Sequence, residues 1–203
     1  MNHPEITVVI PLYNKAPYIK RAIDSVLAQT INDFEIIVVN DGSTDGGDKI
    51  VEQYTDSRIH LINQNNQGVS AARNNGVNAA RTELIAFLDS DDEYLPEYLE
   101  TILRLRRNWP EAGIYGTAGY SCDLSNNIVK SNLLSYYDNN WEGEIAEIFS
   151  VSAKHGNFPS NTSSTAIVRQ VFIENNGFNE KYNWGEDTDL FARICLNYKY
   201  ENF

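Results

Sequence analysis

Basic residues are scarce in this sequence. It contains 16 Lys and Arg residues against 28 Asp and Glu residues, and the formal net charge at pH 7 is -12. Nucleic acids and anionic lipid surfaces attract clustered Lys and Arg, so this balance argues against direct binding to either. The short run Arg104, Arg106 and Arg107 is the only basic cluster along the chain. We therefore expect no nucleic-acid partner.

Cysteines and long apolar runs are lacking too. Cys122 and Cys195 lie far apart and form no metal-ligand spacing, which is typical of thiols in a reducing compartment, with a single disulfide as the alternative. The N-terminus has no basic start followed by an apolar stretch, as a signal peptide requires. No apolar run approaches the roughly 20 residues that span a bilayer. These absences predict a cytoplasmic protein.

The first half of the chain alternates two patterns. Short apolar runs rich in β-branched residues predict strands, and apolar residues at helical spacing between them predict helices. Unbroken apolar runs are typical of strands buried on both faces, and strand–helix–strand units imply parallel pairing. The runs are Ile6–Ile10, Phe34–Val39, Arg58–Ile62 and Leu84–Leu88, and the helical patterns are Tyr18–Ala28, Asp48–Tyr54, Ser70–Ala80 and Glu97–Arg107. The expected class is α/β, with a mainly parallel sheet between two layers of helices.

The pattern loosens after Gly113, but no linker or repeat interrupts the chain. The expected elements are strands at Ile114–Tyr120 and Thr162–Val168 and helices at Glu144–Ser152 and Asp187–Leu196. We expect one domain over residues 1–203, with the halves 1–110 and 111–203 sharing one sheet. The alternation from Tyr198 to Phe203 suits the start of a further strand, whose open edge would favour self-association.

Polar and turn-forming residues follow three of the predicted strands. They occupy Pro11–Asn14, Asn40–Asp45 and Asp89–Asp92. The carboxyl ends of parallel strands meet at one edge of a sheet, and ligands bind outside that edge. We therefore expect these three segments to border one binding site.

The segment Asp89-Ser90-Asp91-Asp92 is the sharpest of these features. Its carboxylates repel one another unless a cation or several donors compensate them. An Asp-x-Asp pair at a strand end can offer oxygens to Mg²⁺ or Mn²⁺ that also holds a substrate diphosphate. The alternative is an acidic cap of the following helix. An EF-hand is excluded because Tyr94 stands where its loop requires Gly.

Two further segments begin predicted helices. Gln67–Asn74 carries small residues and Arg73, which suit a phosphate or carboxylate partner, although Arg73 paired with a neighbouring acid is an equally ordinary arrangement. In the later segment, Trp184–Leu190, Glu186 or Asp187 suits a general base and Trp184 suits a platform for a sugar face. Acids in a first helical turn are also common caps.

The order of these motifs is more specific than any one of them. The succession VVIPLYN, IIVVNDGSTD, NQGVSAARNNG, FLDSDD and GEDTDLFAR, from about Ile6 to Arg193, resembles the family 2 glycosyltransferases of the GT-A fold. That resemblance implies a Rossmann-like nucleotide-diphospho-sugar transferase. It implies inverting transfer of a sugar from a nucleotide-diphosphate donor, with UDP as the expected carrier, to an acceptor hydroxyl with Mg²⁺ or Mn²⁺ as cofactor.

The resemblance also implies roles for individual residues. Nucleotide contacts are expected from Pro11, Tyr13, Asn14, Asp41, Ser43, Gly68 and Arg73, with Asp89 and Ser90 beside the ribose. Asp91 corresponds to the metal ligand of the DxD motif. Asp187 corresponds to the catalytic base of the late Glu186–Asp187 pair, and Trp184 to the acceptor side.

Two alternatives stay open at this stage. One is a nucleotide-sugar-binding module without transfer, because relatives generally continue with further elements after the position of Phe203. The other is a sugar nucleotidyltransferase, although the Gly-rich loop that such an enzyme needs after its first strand is replaced by PLYNKAPY. The expected acceptor is a glycan or a lipid-linked sugar, and the latter would bring the protein to the inner face of a membrane.

Overall fold

The computed structural model describes residues 3–122, 128–130, 142–145, 148–155 and 158–202. The strands are β1 (Ile6–Leu12), β2 (Phe34–Asp41), β3 (Ile59–Gln64), β4 (Leu84–Phe87), β5 (Ile114–Gly116), β6 (Tyr120–Cys122), β7 (Ile128–Lys130), β8 (Gly143–Glu144), β9 (Thr165–Val168) and β10 (Tyr200–Asn202). The helices are α1 (Ala16–Leu27), α2 (Gly47–Val51), α3 (Val69–Ala79), α4 (Tyr98–Asn108), α5 (Ile148–His155), α6 (Arg169–Glu174) and α7 (Glu186–Cys195), with a 3₁₀ turn at Thr162–Ser164.

Eight of these strands form one sheet in the order β3-β2-β1-β4-β9-β5-β10-β8. The pairs β2–β3, β1–β2 and β1–β4 are parallel, as expected from the strand–helix alternation. Strand β9 runs antiparallel between β4 and β5 and so joins the two halves of the chain in one sheet. The α/β class and the shared sheet are thus confirmed.

The unbroken apolar strands are explained by cores on both faces of the sheet. In β1, the alternate residues Ile6, Val8, Ile10 and Leu12 pack with α1 and α4 on one face, whereas Val9 packs with α3 and α7 on the other. This is the burial that a continuous apolar run predicts, since neither face of the strand meets solvent.

Several boundaries differ from those expected. Strand β1 does not end at Pro11 but continues to Leu12, because Pro11 lies past Val9, the last residue of β1 that pairs with β4. A helix was expected from Glu144, but Gly143–Glu144 forms β8 and the helix begins at Ile148. Isolated strands of two or three residues carry too little periodicity to be found from sequence.

The expectation of an open edge at the C-terminal strand is wrong. Strand β10 forms as predicted, but it pairs with β5 on one side and with β8 on the other. Its central residue Glu201 is buried, and neither carboxyl oxygen has a hydrogen-bond partner in the described part of the chain. Burial and the nearby Glu144 raise the pKa of Glu201 to about 7, partly opposed by Lys199.

Candidate active site

The three polar segments lie at one edge of the sheet, where the carboxyl ends of β2, β1 and β4 are neighbours. The first two segments, Pro11–Asn14 and Asn40–Asp45, are joined directly by hydrogen bonds. The Asn14 N–H donates to Ser43 Oγ over 3.2 Å, and the Thr44 N–H donates to Asn14 Oδ1 over 2.8 Å. Tyr13 stays exposed beside this junction. Asn14 and Ser43 therefore hold the loop that presents the Tyr13 ring.

Asp41, at the end of β2, is buried and connects this strand to the start of α3. Its Oδ1 accepts hydrogen bonds of 2.8 Å from Gln64 Nε2 and from the Gln67 N–H, and its Oδ2 accepts one of 2.8 Å from the Gly68 N–H. Gly68 has φ +94°, a conformation open mainly to glycine. Asp41 thus shapes the loop before Arg73, a contact that the motif did not reveal.

Arg73 lies at the centre of the site. Its guanidinium donates to Asp89 Oδ1 over 2.6 Å and to Glu186 Oε1 over 2.8 Å. The side chain is only 3% exposed. The pKa of Arg73 is raised: burial, the largest single influence, lowers it, but Asp89 and Glu186 together outweigh that effect. Of the alternatives left by the sequence, pairing with acids is therefore the arrangement in the structure.

The four residues of the acidic motif face different partners. Asp91 Oδ2 accepts from Lys15 Nζ over 2.5 Å, and Ser90 is buried. Ser163 Oγ donates to Asp92 Oδ2 over 2.5 Å and accepts from the Asp89 N–H over 3.0 Å. Because Ser163 lies far along the chain in the 3₁₀ turn, no local signal in the sequence identified it.

Helix α7 begins after Gly185 and places acids in its first turn. Glu186 pairs with Arg73, and Asp189 pairs with Arg193 over 2.7 Å. Asp187 is the one acid of this turn that has no salt bridge among the described residues; its Oδ1 accepts from the Thr188 N–H. The structure thus distinguishes Asp187 from its two acidic neighbours.

A cavity of about 820 Å³ opens beside these groups. Its wall contains Arg73, Asp89, Glu186, Asp187 and Trp184. Trp184 is 92% exposed at this cavity. The cavity therefore brings together the candidate base, the candidate acceptor platform and one end of the acidic motif.

The other candidates lie outside the lining of this cavity. They are Pro11, Tyr13, Asn14, Asp41, Ser43, Gly68, Ser90 and Asp91. Pro11 and Asp41 are buried at strand ends and Ser90 is buried in the turn after β4, whereas Tyr13 and Asn14 are exposed. The chain thus gathers the candidates in two groups along one edge of the sheet.

The donor set suits a divalent cation only in part. Among the described residues, no group of three or more His, Cys, Asp or Glu side chains could hold a metal ion by itself. Asp91 is 42% exposed at the carboxyl edge, and a carboxylate oxygen is the ligand that Mg²⁺ and Mn²⁺ prefer. Asp91 therefore fits as one protein ligand, with substrate oxygens required for the others and Lys15 as its present partner.

Comparison with known proteins identifies the family. The family model described as glycosyl transferase family 2 matches residues 7–177. The chain belongs to glycosyl transferase family 2. This assignment decides against the sugar nucleotidyltransferase, which the sequence had left open.

The curated relatives of this family 2 protein are named as glycosyltransferases. The putative glycosyltransferase EpsH of Bacillus subtilis is 45% identical over 106 residues, which are 51% of this chain and 31% of the relative. The GalNAc(5)-diNAcBac-PP-undecaprenol beta-1,3-glucosyltransferase of Campylobacter jejuni is 31% identical over 205 residues, 98% of this chain and 62% of the relative. The chain thus spans less than two thirds of the length of these proteins.

Solved structures confirm the GT-A fold. Residues 1–349 of TarS from S. aureus superpose with a TM-score of 0.80 at 20% identity, covering 98% of this chain and 58% of TarS 1–349. The mannosyltransferase PcManGT from Pyrobaculum calidifontis, in complex with GDP-Man and Mn²⁺, gives a TM-score of 0.71 at 21% identity, covering 98% and 55%. TarS 1–349 is also known in complex with UDP-GlcNAc.

Proposed function

We propose that this family 2 protein transfers a sugar from a UDP-sugar to a hydroxyl group of a glycan or lipid-linked acceptor, with inversion at the anomeric carbon. The observation that carries the proposal is the cavity in which Asp187, unpaired among the described residues, lies beside Trp184 and Asp89. A carboxylate without a cationic partner is free to accept a proton, as a general base must.

The donor is proposed to bind along the carboxyl edge of the sheet. Tyr13 is available to stack on the base, with Pro11 and Asp41 nearby and with Asn14, Ser43 and Gly68 shaping the loops. Asp89 and Ser90 are proposed beside the ribose. UDP is favoured as the carrier because the TarS structure that superposes on the chain was solved with UDP-GlcNAc.

Asp91 is the residue that would hold Mg²⁺ or Mn²⁺. When bound, such a cation neutralises the negative charge that develops on a departing diphosphate. Lys15, which pairs with Asp91 in the structure, would have to give up that contact. Asp91 would thus act in donor binding through the cation, and it is separate from the catalytic base.

Asp187 is proposed as the base that takes the proton of the acceptor hydroxyl. Glu186 is already neutralised by Arg73, so its role is in positioning Asp187, whereas Asp189 is paired separately with Arg193. A single base acting on the acceptor implies direct displacement and therefore inversion. Trp184 is proposed to support the acceptor sugar at the mouth of the cavity.

The cellular setting follows from the acceptor. No helix in the described ranges is long and apolar enough to cross a membrane. We place the transfer on the cytoplasmic side, at the inner face of the membrane when the acceptor is lipid-linked. An undecaprenol-linked substrate appears in the name of the Campylobacter jejuni relative, which supports this class of acceptor.

A nucleotide-sugar-binding module without transfer is the second candidate. The two candidates share donor binding and differ in turnover. Binding and turnover are therefore measured separately.

The first experiment measures thermal stability with UDP-glucose, UDP-galactose, UDP-GlcNAc and GDP-mannose, each with and without Mn²⁺. A ligand at 100 times its Kd stabilises the folded state by about 2.7 kcal/mol. We expect a UDP-sugar to stabilise the chain most, and Asp91→Asn to remove the Mn²⁺-dependent part. Glu93→Gln is the matched control, since Glu93 lies in the same segment and pairs with Arg21. Absence of stabilisation by every nucleotide-sugar contradicts the proposal.

A further inference from the structure

Arg73 connects the two halves of the proposed site. It belongs to α3, and its partners Asp89 and Glu186 belong to the acidic motif and to the start of α7. Both terminal nitrogens of the guanidinium are thus engaged by carboxylates of this chain. The remaining Nε–H is buried and has no hydrogen-bond partner in the described residues. Each terminal nitrogen thus gives one of its N–H groups to a carboxylate, and these two bonds tie the acidic motif to the start of α7 through Arg73.

The surroundings fix the guanidinium in place. Its centre lies 5.2 Å from the centroid of the Phe178 ring. Phe178 is itself held by Asn74, whose Nδ2 donates to the Phe178 carbonyl and whose Oδ1 accepts from the Phe178 N–H, each over 2.9 Å. Gly177 has φ +57°, and a Cβ there would lie 2.7 Å from Asn74 Oδ1. The Arg73 side chain therefore packs in a pocket whose wall is fixed by the hydrogen bonds of Phe178 to Asn74.

Removing the Arg73 guanidinium would leave the carboxylates of Asp89 and Glu186 without their cationic partner. Glu186 is 14% exposed and Asp89 is 35% exposed, and both line the cavity with Asp187. A buried carboxylate without its partner is strongly destabilising, because the charge stays desolvated and uncompensated. Glu186 would then reorient toward solvent, and the first turn of α7, which carries Asp187, would move with it.

We infer that Arg73 is a positioning residue for the transfer: by holding Glu186 against Asp89, it keeps the adjacent Asp187 carboxylate in the wall of the cavity. The inference rests on the proposed function. It differs from the direct nucleotide contact that the family resemblance implies. Loss of a positioning residue lowers kcat and leaves the Kd of UDP nearly unchanged, whereas loss of a nucleotide contact raises the Kd of UDP.

The test compares Arg73→Met and Arg73→Lys with the matched control Arg81→Met. Arg81 also pairs with a buried carboxylate, Glu35, but at the opposite edge of the sheet and away from the cavity. The readouts are the Kd of UDP and the kcat of UDP release, in Mn²⁺, from the UDP-sugar that stabilises the chain most, with water or an added glycan as the acceptor of the sugar. For Arg73→Met we expect kcat to fall about 100-fold, the scale of a displaced catalytic group, and the Kd of UDP to change less than about threefold.

The conservative variant and the control separate positioning from simple damage. A lysine can pair with one of the two carboxylates but lacks the planar fork, so Arg73→Lys should recover part of kcat. Arg81→Met should lower the Tm while leaving kcat and the Kd of UDP unchanged. A fall in kcat of equal size in Arg81→Met would overturn the inference.

A double variant tests the pairing without turnover. Arg73→Met should lower the Tm by about 6–20 °C, as expected when a buried pair is broken in a domain of this size. Adding Glu186→Gln removes the uncompensated charge and should recover part of that loss. Additive losses of Tm, or a rise of tenfold or more in the Kd of UDP with kcat preserved, would overturn the inference. If the parent chain binds UDP but releases none from any UDP-sugar, the proposed function fails first and the inference with it.

Discussion

Two arginine–carboxylate clusters lie at opposite edges of the sheet, and they are built in opposite ways. At the carboxyl edge the cation is buried: Arg73 is 3% exposed and its acids line a cavity. At the amino edge the acid is buried: Glu35 is 2% exposed, whereas Arg81 is 64% exposed. The same two chemical groups therefore serve different purposes.

The amino-edge acid is fully satisfied. Glu35 Oε1 accepts from Thr7 Oγ1 over 2.7 Å and from the Arg81 N–H over 2.9 Å, and its Oε2 accepts from Arg81 Nε over 2.7 Å. The pKa of Glu35 is lowered, since these donors outweigh the larger single effect of burial, which raises it. Both oxygens of this buried carboxylate are held by donors of the fold, so this cluster stabilises the fold, whereas the acids of the other cluster line a cavity.

The largest expected effect is at the carboxyl edge and concerns turnover. Asp187→Asn should lower kcat by about 10²–10⁴-fold while leaving the Kd of UDP unchanged, because it removes a base and no donor contact. The measurement is UDP release from the preferred UDP-sugar. Asp189→Asn is the matched control, since Asp189 is paired with Arg193 in the same helical turn. Turnover of Asp187→Asn close to that of the parent would refute the assignment.

Glu201 sharpens the comparison, because it is a buried carboxylate whose oxygens have neither an arginine nor another hydrogen-bond donor as a partner among the described residues. Its pKa of about 7 in the folded chain lies above the ordinary value of 4.5. The folded state therefore holds a proton that the unfolded state has lost, and stability falls as the pH rises from 4.5 through 7. Glu201→Gln should raise the free energy of unfolding at pH 8 by on the order of 3 kcal/mol and change it little at pH 4. Urea unfolding at both pH values measures this, and equal effects at both would contradict it.

Glu35→Gln should do the reverse of Glu201→Gln. Because the pKa of Glu35 is depressed below 4.5, its stabilisation is present above that pH and is lost as the pH falls through the folded value. We expect a loss of about 1–3 kcal/mol at pH 7, the cost of unsatisfied buried partners, and no change in the Kd of UDP. Glu52→Gln on the exposed end of α2 is the control. A large change in UDP binding would show that the two edges are coupled.

The smallest effect concerns Lys15, which competes with a cation for Asp91. Both side chains are about 40% exposed, and such pairs contribute at most about 1 kcal/mol. Lys15→Met should therefore tighten Mn²⁺ binding in the presence of UDP by up to about fivefold. Titration followed by electron paramagnetic resonance measures the free Mn²⁺, with Lys20→Met as the control. Weaker Mn²⁺ binding would instead make Lys15 part of the donor site.

The sequence predicted the parts of the molecule that depend on local pattern. The apolar face Leu190, Phe191 and Ile194 of α7 is fully buried, and the strand ends meet at one edge as the parallel topology requires. Propensity and periodicity act over a few residues, so they locate such elements well. Strand β8, with two residues, exists only because β10 offers it a partner.

The contacts that define the candidate site join distant parts of the chain and have no local signature. Arg73 reaches Glu186, Lys15 reaches Asp91, and Ser163 reaches Asp92. Each is an ordinary residue in its own segment and gains a role only when the sheet brings the segments together. The motifs indicated which residues to examine, and the fold showed which of them are in contact.

The position of β9 has a consequence for how the chain assembles during synthesis. Among the described strands, β5 is joined to β1–β4 only through β9, so it enters the main sheet only after Thr165–Val168 leaves the ribosome. The first four strands and their helices can collapse earlier, with Arg73 already seated beside Asp89. Helix α7 follows β9 in the chain, and the ion pair between Arg73 and Glu186 closes only then. Formation of that pair therefore marks the stage at which a nascent chain first joins Arg73, Asp89 and Glu186 in the candidate site.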